Sequence, residues 1–271
     1  MKSGNLLESY THKEKQNINY SRDYKYLGSG RILYFFQLII MIVPMSIVYL
    51  INYEKLSYFI AKCAKYFLRI FTSQEVSILK IDYLPKLGDV YYVGLEGKYP
   101  SFNMALISFI VSVIFIILFS LIKTKNKPLM IFLTMGLYIH AFSSLFFMFF
   151  CEQFAYDLVG YSELYLKHQI IVWLLIMLTY WITTSLITKM FFYRMFTFIT
   201  LIITEAAFGF VRYVLYLTFL AKCSYLFMAI LYFTFGFLFD FMIMVGFYAL
   251  YMKRASEKFS TKAGGGLWKW S

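Results

Sequence analysis

Apolar residues run through this chain in long blocks and not in alternation with polar ones. Six blocks, at about 32–52, 103–122, 129–150, 169–188, 195–220 and 224–251, approach or exceed the roughly 20 residues that a helix needs to cross a bilayer's hydrocarbon core. The pattern predicts an all-α fold: a polytopic membrane bundle of about six transmembrane helices. Pro44 inside the first block predicts a kink, tolerable in lipid when neighbours satisfy the freed carbonyl.

The stretch between the first two blocks reads differently. In "LSYFIAKCAKYFLRIF", Lys62, Lys65 and Arg69 recur every three or four residues and share one face. That spacing predicts an amphipathic helix lying in the outer interface with its basic stripe toward head groups. "VSILKIDYLPKLGDVYYVGLEG" follows, two β-rich runs around "PKLGD", and predicts a hairpin. Residues 53–102 would thus form a small extracellular cap on a membrane domain spanning 32–252. Residues 1–31 lack a helical period and read as a cytoplasmic tail, with no cleavable signal peptide ahead of the first span. Residues 253–271 form a second cytoplasmic tail, and its end "GGGLWKWS" is either native or appended.

Composition agrees with the membrane reading. Of 271 residues, 61% are hydrophobic and 22% aromatic, and only 15% are charged, against about 25% charged in an ordinary soluble domain. The net charge of +12 raises nucleic acid as a partner, but the distribution of charge argues against it. With the N-terminus inside, the inner segments hold 16 Lys and Arg and the outer segments 9. The short connections decide orientation, placing "KTKNKP" inside and "CEQFAYDLVGYSELYLKH" outside, so both termini are expected in the cytoplasm. The abundance of Lys, Ile, Phe and Tyr suggests an AT-rich bacterial genome, hence a bacterial plasma membrane.

Chemistry is sparse. Metal-ligand spacings, phosphate-binding glycine loops and any soluble stretch large enough for a nucleotide-binding domain are missing, so no metal or cofactor is expected. Cys151 and Cys223 fall at outer helix ends and Cys63 in the outer segment; a disulfide between two of them is open, with free thiols the simpler reading. His140 reads as a satisfied core histidine, and His168 as an interfacial residue beginning the fourth span.

The ionisable residues within the spans are Glu205, Arg212 and Asp240. An arginine in mid-membrane costs at least ~2.5–3.5 kcal/mol on insertion scales, so it faces the bundle or a wet cavity. Glu205 and Arg212 share a face but stand about 10 Å apart along the axis, too far to pair directly. Counted from the turn near 222, Asp240 shares its depth with Glu205, and Arg212 lies nearer the outer surface. The three read as an intramembrane polar network that fixes helix register, or as a lining that faces substrate.

"GLEGKYPSFNMALISF", "FGFVRYVLYLTFL", the short turn "AKCSY" and a final long aromatic helix ending "FYALYMKR" form a layout. It resembles the exosortase/archaeosortase family, particularly the Gram-positive branch whose members accompany polysaccharide-synthesis proteins. The resemblance implies a cysteine nucleophile at an outer helix end, an arginine, and a histidine or second arginine on the last helix. Arg212 matches the arginine. The nucleophile position falls at His168 or Gln169, and the partner position at Leu226, Phe227 and Met228, so neither is matched.

The expectation that follows is a non-catalytic, exosortase-like accessory subunit of a cellulose- or β-glucan-type synthase or export complex, with a membrane glycosyltransferase and the lipid bilayer as partners. Whether the chain is an enzyme stays open, with the balance against it because no nucleophile is matched. A cysteine transpeptidase or protease using Arg212 with Cys151 or Cys223, and a small-molecule transporter or channel, are the alternatives. The absence of internal repeats and of broken-helix signals places the transporter last.

Overall fold

The structure, a computed structural model, describes residues 22–24, 31–84, 88–122, 127–185, 190–263 and 268–270. Most of the expected N-terminal tail, residues 85–87 of the hairpin turn, residues 123–126 and the glycines at 264–266 lie outside the described residues. The chain order is β1 (Arg22–Tyr24), α1 (Arg31–Thr72), β2 (Ser77–Leu84), β3 (Gly88–Gly94), α2 (Phe102–Leu121), α3 (Lys127–Phe149), α4 (Leu158–Ser185), α5 (Phe191–Lys222), α6 (Met228–Phe235), α7 (Phe237–Ala263) and β4 (Trp268–Trp270). Single 3₁₀ turns at Cys151–Gln153 and Tyr225–Phe227 precede α4 and α6. Six helical segments are long and apolar enough to cross a membrane, the sixth being α6 and α7 together. The polytopic all-α architecture expected from the hydrophobic blocks is therefore present.

The first helix departs from expectation in one respect. The segment with the basic stripe is not a separate helix but the continuation of α1, which runs unbroken through Pro44 for 42 residues. At 1.5 Å per residue that is about 60 Å, roughly twice the hydrocarbon thickness of a bilayer. The cause is a second stripe. Tyr53, Ser57, Ile60, Ala61, Ala64 and Leu68 are buried at helical spacing, and the small residues among them let the hairpin close onto the helix. Tyr53 donates to the Gly88 carbonyl at 2.5 Å, and the Tyr91 amide donates to Ser57 Oγ at 3.2 Å. The hairpin pairs β2 with β3 antiparallel, Ser77 opposite Gly94, with an irregularity between Asp82 and Leu84. Its Val90, Tyr92 and Val93 turn inward.

Helices α1, α4, α5 and α7 pack together as the centre of the bundle, and α2 and α3 form a flanking pair tied in through α6. The hairpin sits over α1 and α4 and defines the cap end of the molecule. Tyr225 holds three connections there. Its amide donates to the Lys98 carbonyl at 3.0 Å, its hydroxyl accepts from the Leu158 amide at 3.1 Å, and its ring meets those of Tyr99 and Phe154. At the other end, β1 pairs antiparallel with β4, so the two ends of the chain come together. An even number of spans is consistent with both ends lying at one end of the bundle.

Candidate functional site: a buried arginine cluster beside a lateral cleft

Glycine builds the site at two points. Gly209 on α5 faces Trp173 and Gln169 on α4, and a methyl group there would come within 2.7 Å of the Trp173 ring. The missing side chain lets the two helices approach and brings α4's polar residues against α5. Gly236 interrupts the last span between α6 and α7, and its carbonyl turns into the bundle.

Arg212 occupies the space so formed and is 5% exposed. Its Nε donates to Tyr165 Oη at 2.9 Å, and its Nη1 to the Gly236 carbonyl at 3.2 Å. Its Nη2 donates to Gln169 Oε1 at 2.8 Å and to Asp240 Oδ1 and Oδ2 at 2.7 and 2.9 Å. Gln169 Nε2 reaches Asp240 Oδ2 at 3.4 Å, and the Tyr165 hydroxyl donates to the Gly209 carbonyl at 3.1 Å. Tyr165 stacks on Tyr213, whose hydroxyl lies 2.5 Å from Ser162 Oγ and accepts from the Val93 amide at 3.0 Å. Two sets of hydrogen bonds, joined by the Tyr165–Tyr213 ring stack, thus lead from Asp240 to the hairpin. Buried charge of this kind persists only when paired and hydrogen-bonded.

The structure unites Arg212 and Asp240, which residue counting had set at different depths. Side chains on a helix lean toward its N-terminus. Helix α5 runs toward the cap, so Arg212 leans away from it; α7 runs the other way, so Asp240 leans toward it. The two converge, and Glu205 is carried past the meeting point. Glu205 is 2% exposed and lies beside Asp240, within the electrostatic reach of Arg212.

The remaining expected residues fall elsewhere. His140 is a core histidine but only half satisfied: its Nε2 is 2.7 Å from Ser108 Oγ and its ring stacks on Phe227, while its buried Nδ1 has no hydrogen-bond partner among the described residues. His168 stands well inside α4, exposed, because that helix starts at Leu158. All three cysteines are free thiols, half-buried. Lys62 is exposed, and Lys65 and Arg69 line an open groove of about 1100 Å³ with Gln74, Glu75 and Glu96, between the end of α1 and the hairpin. Among the described residues no three of His, Cys, Asp and Glu converge as metal ligands would. Two members of the cluster, Gln169 and Tyr165, were missed as functional candidates. A Tyr and a Gln four apart on an apolar helix were the available signal.

Beside the cluster lies a cleft. A cavity of about 390 Å³ is walled by Phe147, Phe154, Tyr161, Tyr225 and Met228, among others. A smaller one of about 210 Å³ has Gln169, Gly236 and Asp240 in its lining. The two share Tyr165, His168 and Tyr232, so the aromatic cavity leads to the arginine cluster. Fold and site together define a multi-pass helical membrane protein with an internally paired arginine behind the Gln169, Gly236 and Asp240 that line a cleft. The chain matches no family model, no curated protein and no solved structure.

Proposed function

We propose that this chain is a non-catalytic, exosortase-like membrane subunit that assists a cell-surface glycan synthase or export complex, of the cellulose or β-glucan type, in a bacterial plasma membrane with both termini cytoplasmic. The observation that carries the non-catalytic part is the engagement of Arg212. Tyr165, Gln169, Asp240 and the Gly236 carbonyl all accept from its guanidinium, and a cysteine nucleophile needs such a cation to hold its thiolate. No cysteine is among these partners or in the lining of the adjoining cleft. The glycan assembly rests on the family resemblance, and the broad exposed apolar surface of α1 and α2 is the area a membrane partner would cover.

The test is purification from native membranes in mild detergent with mass spectrometry of what accompanies the chain. A membrane glycosyltransferase in fixed ratio is the expected result; recovery of the chain alone would overturn the accessory role. Replacing Cys63, Cys151 and Cys223 together by serine is expected to leave that recovery unchanged. A peptide found covalently attached to one of the thiols would establish the transpeptidase instead. The break at Gly236 supports a second reading, transport of a small molecule, because interrupted spans are where transporters place their sites. Substrate flux into liposomes that is lost on neutralising Asp240 would favour it.

A further inference from the structure

A separate groove of about 390 Å³ lies between α5 and α7, away from the arginine cluster and toward the end of the bundle where β1 meets β4. Its two ends differ in kind. Lys253, Arg254 and Glu257 on α7 and Tyr193 on α5 form the polar end. Thr200 on α5 and Phe247 on α7 form the other, seven and six residues further into the spans, or about 10 Å. Phe196 and Leu250 stand between them, 65% and 59% exposed. In a bundle that crosses a membrane, large apolar side chains so exposed face acyl chains. Lys253 and Arg254 close the last apolar block, so they stand at the level of the head groups.

The polar end carries surplus positive charge. Arg254 meets Glu257 at 3.5 Å, a loose contact between two exposed groups, and such pairs contribute little. Lys253 is exposed and has no carboxylate within ion-pair reach among the described residues. Two cations against one carboxylate leave a single charge to be neutralised, which one phosphodiester supplies. A zwitterionic head would bring its own ammonium up against Lys253 and Arg254. Basic groups set between helices at the end of a span, above an apolar groove, suit an anionic head group. The space is within the usual range for ligand pockets.

The geometry points to this groove as a binding site for an anionic phospholipid of the phosphatidylglycerol type, its phosphate on Lys253 and Arg254 and an acyl chain along Phe196, Leu250 and Phe247. The lipid bridges α5 and α7 from outside. The site rests neither on the glycan assembly nor on which side of the membrane this end faces.

The test uses the full chain in phosphatidylcholine nanodiscs with a trace of phosphatidylglycerol carrying a photoactivatable diazirine on its acyl chain, followed by peptide mapping. Labelling is expected to concentrate on residues 193–200 and 247–254. Excess unlabelled phosphatidylglycerol should displace it; the same excess of phosphatidylethanolamine or of inorganic phosphate should not. Lys253→Gln and Arg254→Gln should each weaken the labelling about fivefold, and the double variant about thirtyfold, with thermal unfolding unchanged. Lys127 begins α3 at the same end of the bundle but lies outside the groove, so Lys127→Gln should leave the labelling as it is. Labelling spread evenly over the lipid-facing helices, or lowered as much by Lys127→Gln as by Lys253→Gln, would overturn the proposal, because diffuse attraction to a basic surface would then explain it. Equal displacement by phosphatidylethanolamine would overturn the anionic head group, and displacement by phosphate would show a site for a free anion in place of a lipid.

Discussion

Arg212 holds both oxygens of Asp240 through a single nitrogen, Nη2, at 2.7 and 2.9 Å, across the interface between α5 and α7. Its other nitrogens are spent on Tyr165 and on the carbonyl that the broken last span exposes. One side chain therefore ties α4, α5 and the junction of α6 with α7.

Removing one member of that pair leaves a buried charge without its partner. Arg212→Ala and Asp240→Ala are each expected to cost about 3–5 kcal/mol. The double variant should cost clearly less than the sum, because neither charge is then stranded. Circular-dichroism melts of the four proteins in one detergent measure the coupling. Strict additivity would mean that the two residues act independently. Arg212→Lys should cost less than the alanine variant, because a cation still faces Asp240, yet remain below the parent, since an ammonium cannot reproduce the contacts of Nε and Nη1 at once.

The cap is tied to the bundle by a hydrogen bond from the Val93 amide to the Tyr213 hydroxyl, at 3.0 Å and fully buried. Tyr213→Phe keeps the ring that stacks on Tyr165 and strands the amide. A loss of about 1–3 kcal/mol is expected, with faster hydrogen exchange at β3 and little change in the far half of α1. Exchange at β3 equal to that of the parent protein would show that the hairpin is held by packing alone.

Arg194 is fully buried at the opposite end of α5, bonded to Gln37 Oε1 at 2.7 Å and the Thr184 carbonyl at 3.3 Å, with the Trp181 ring 4.8 Å from its guanidinium carbon. No carboxylate pairs with it among the described residues. The aromatic face does part of that work, worth about 2 kcal/mol when desolvated. Arg194→Lys should lose most of it, because a hydrated ammonium neither stacks nor reaches both oxygens. Trp181→Leu should destabilise the parent more than it destabilises the lysine variant, which thermal melts can read directly.

The spans were legible because a bilayer demands runs of about 20 apolar residues, and such runs survive any packing detail. The hairpin was legible because "SILKIDYL" and "DVYYVG" are bounded by turn residues. Arg212 and Asp240 stood out as charges in apolar helices, but their contact did not, because it depends on two opposed side-chain tilts and not on residue count. Arg194 stands just ahead of the fifth apolar block and carries no sign of its burial, since packing under Trp181 and Phe191 leaves no periodic mark. The basic face of α1 was visible and its buried face was not, because Ser57, Ala61 and Ala64 look unremarkable until a hairpin packs on them.

The break at Gly236 was hidden for a related reason: a lone glycine in an apolar run signals nothing by itself. In the structure it is specific. A methyl group at Gly236 would lie 2.1 Å from the Tyr232 carbonyl oxygen, a backbone atom that cannot swing aside. The Gly236 carbonyl meanwhile accepts from Arg212 Nη1 at 3.2 Å and from the Phe239 amide at 3.0 Å. Gly246, ten residues on in α7, has open space where its side chain would be. Alanine ordinarily stabilises a helix interior over glycine by roughly 0.5–1 kcal/mol, and Gly246→Ala should show that gain. Gly236→Ala should show the opposite sign, because the backbone must shift and carry the Arg212 acceptor with it. Opposite signs in parallel melts would establish the break as a built element of the arginine cluster. Stabilisation by both substitutions would mean that α6 and α7 run on as one helix, and that Arg212 Nη1 finds another acceptor in place of the Gly236 carbonyl.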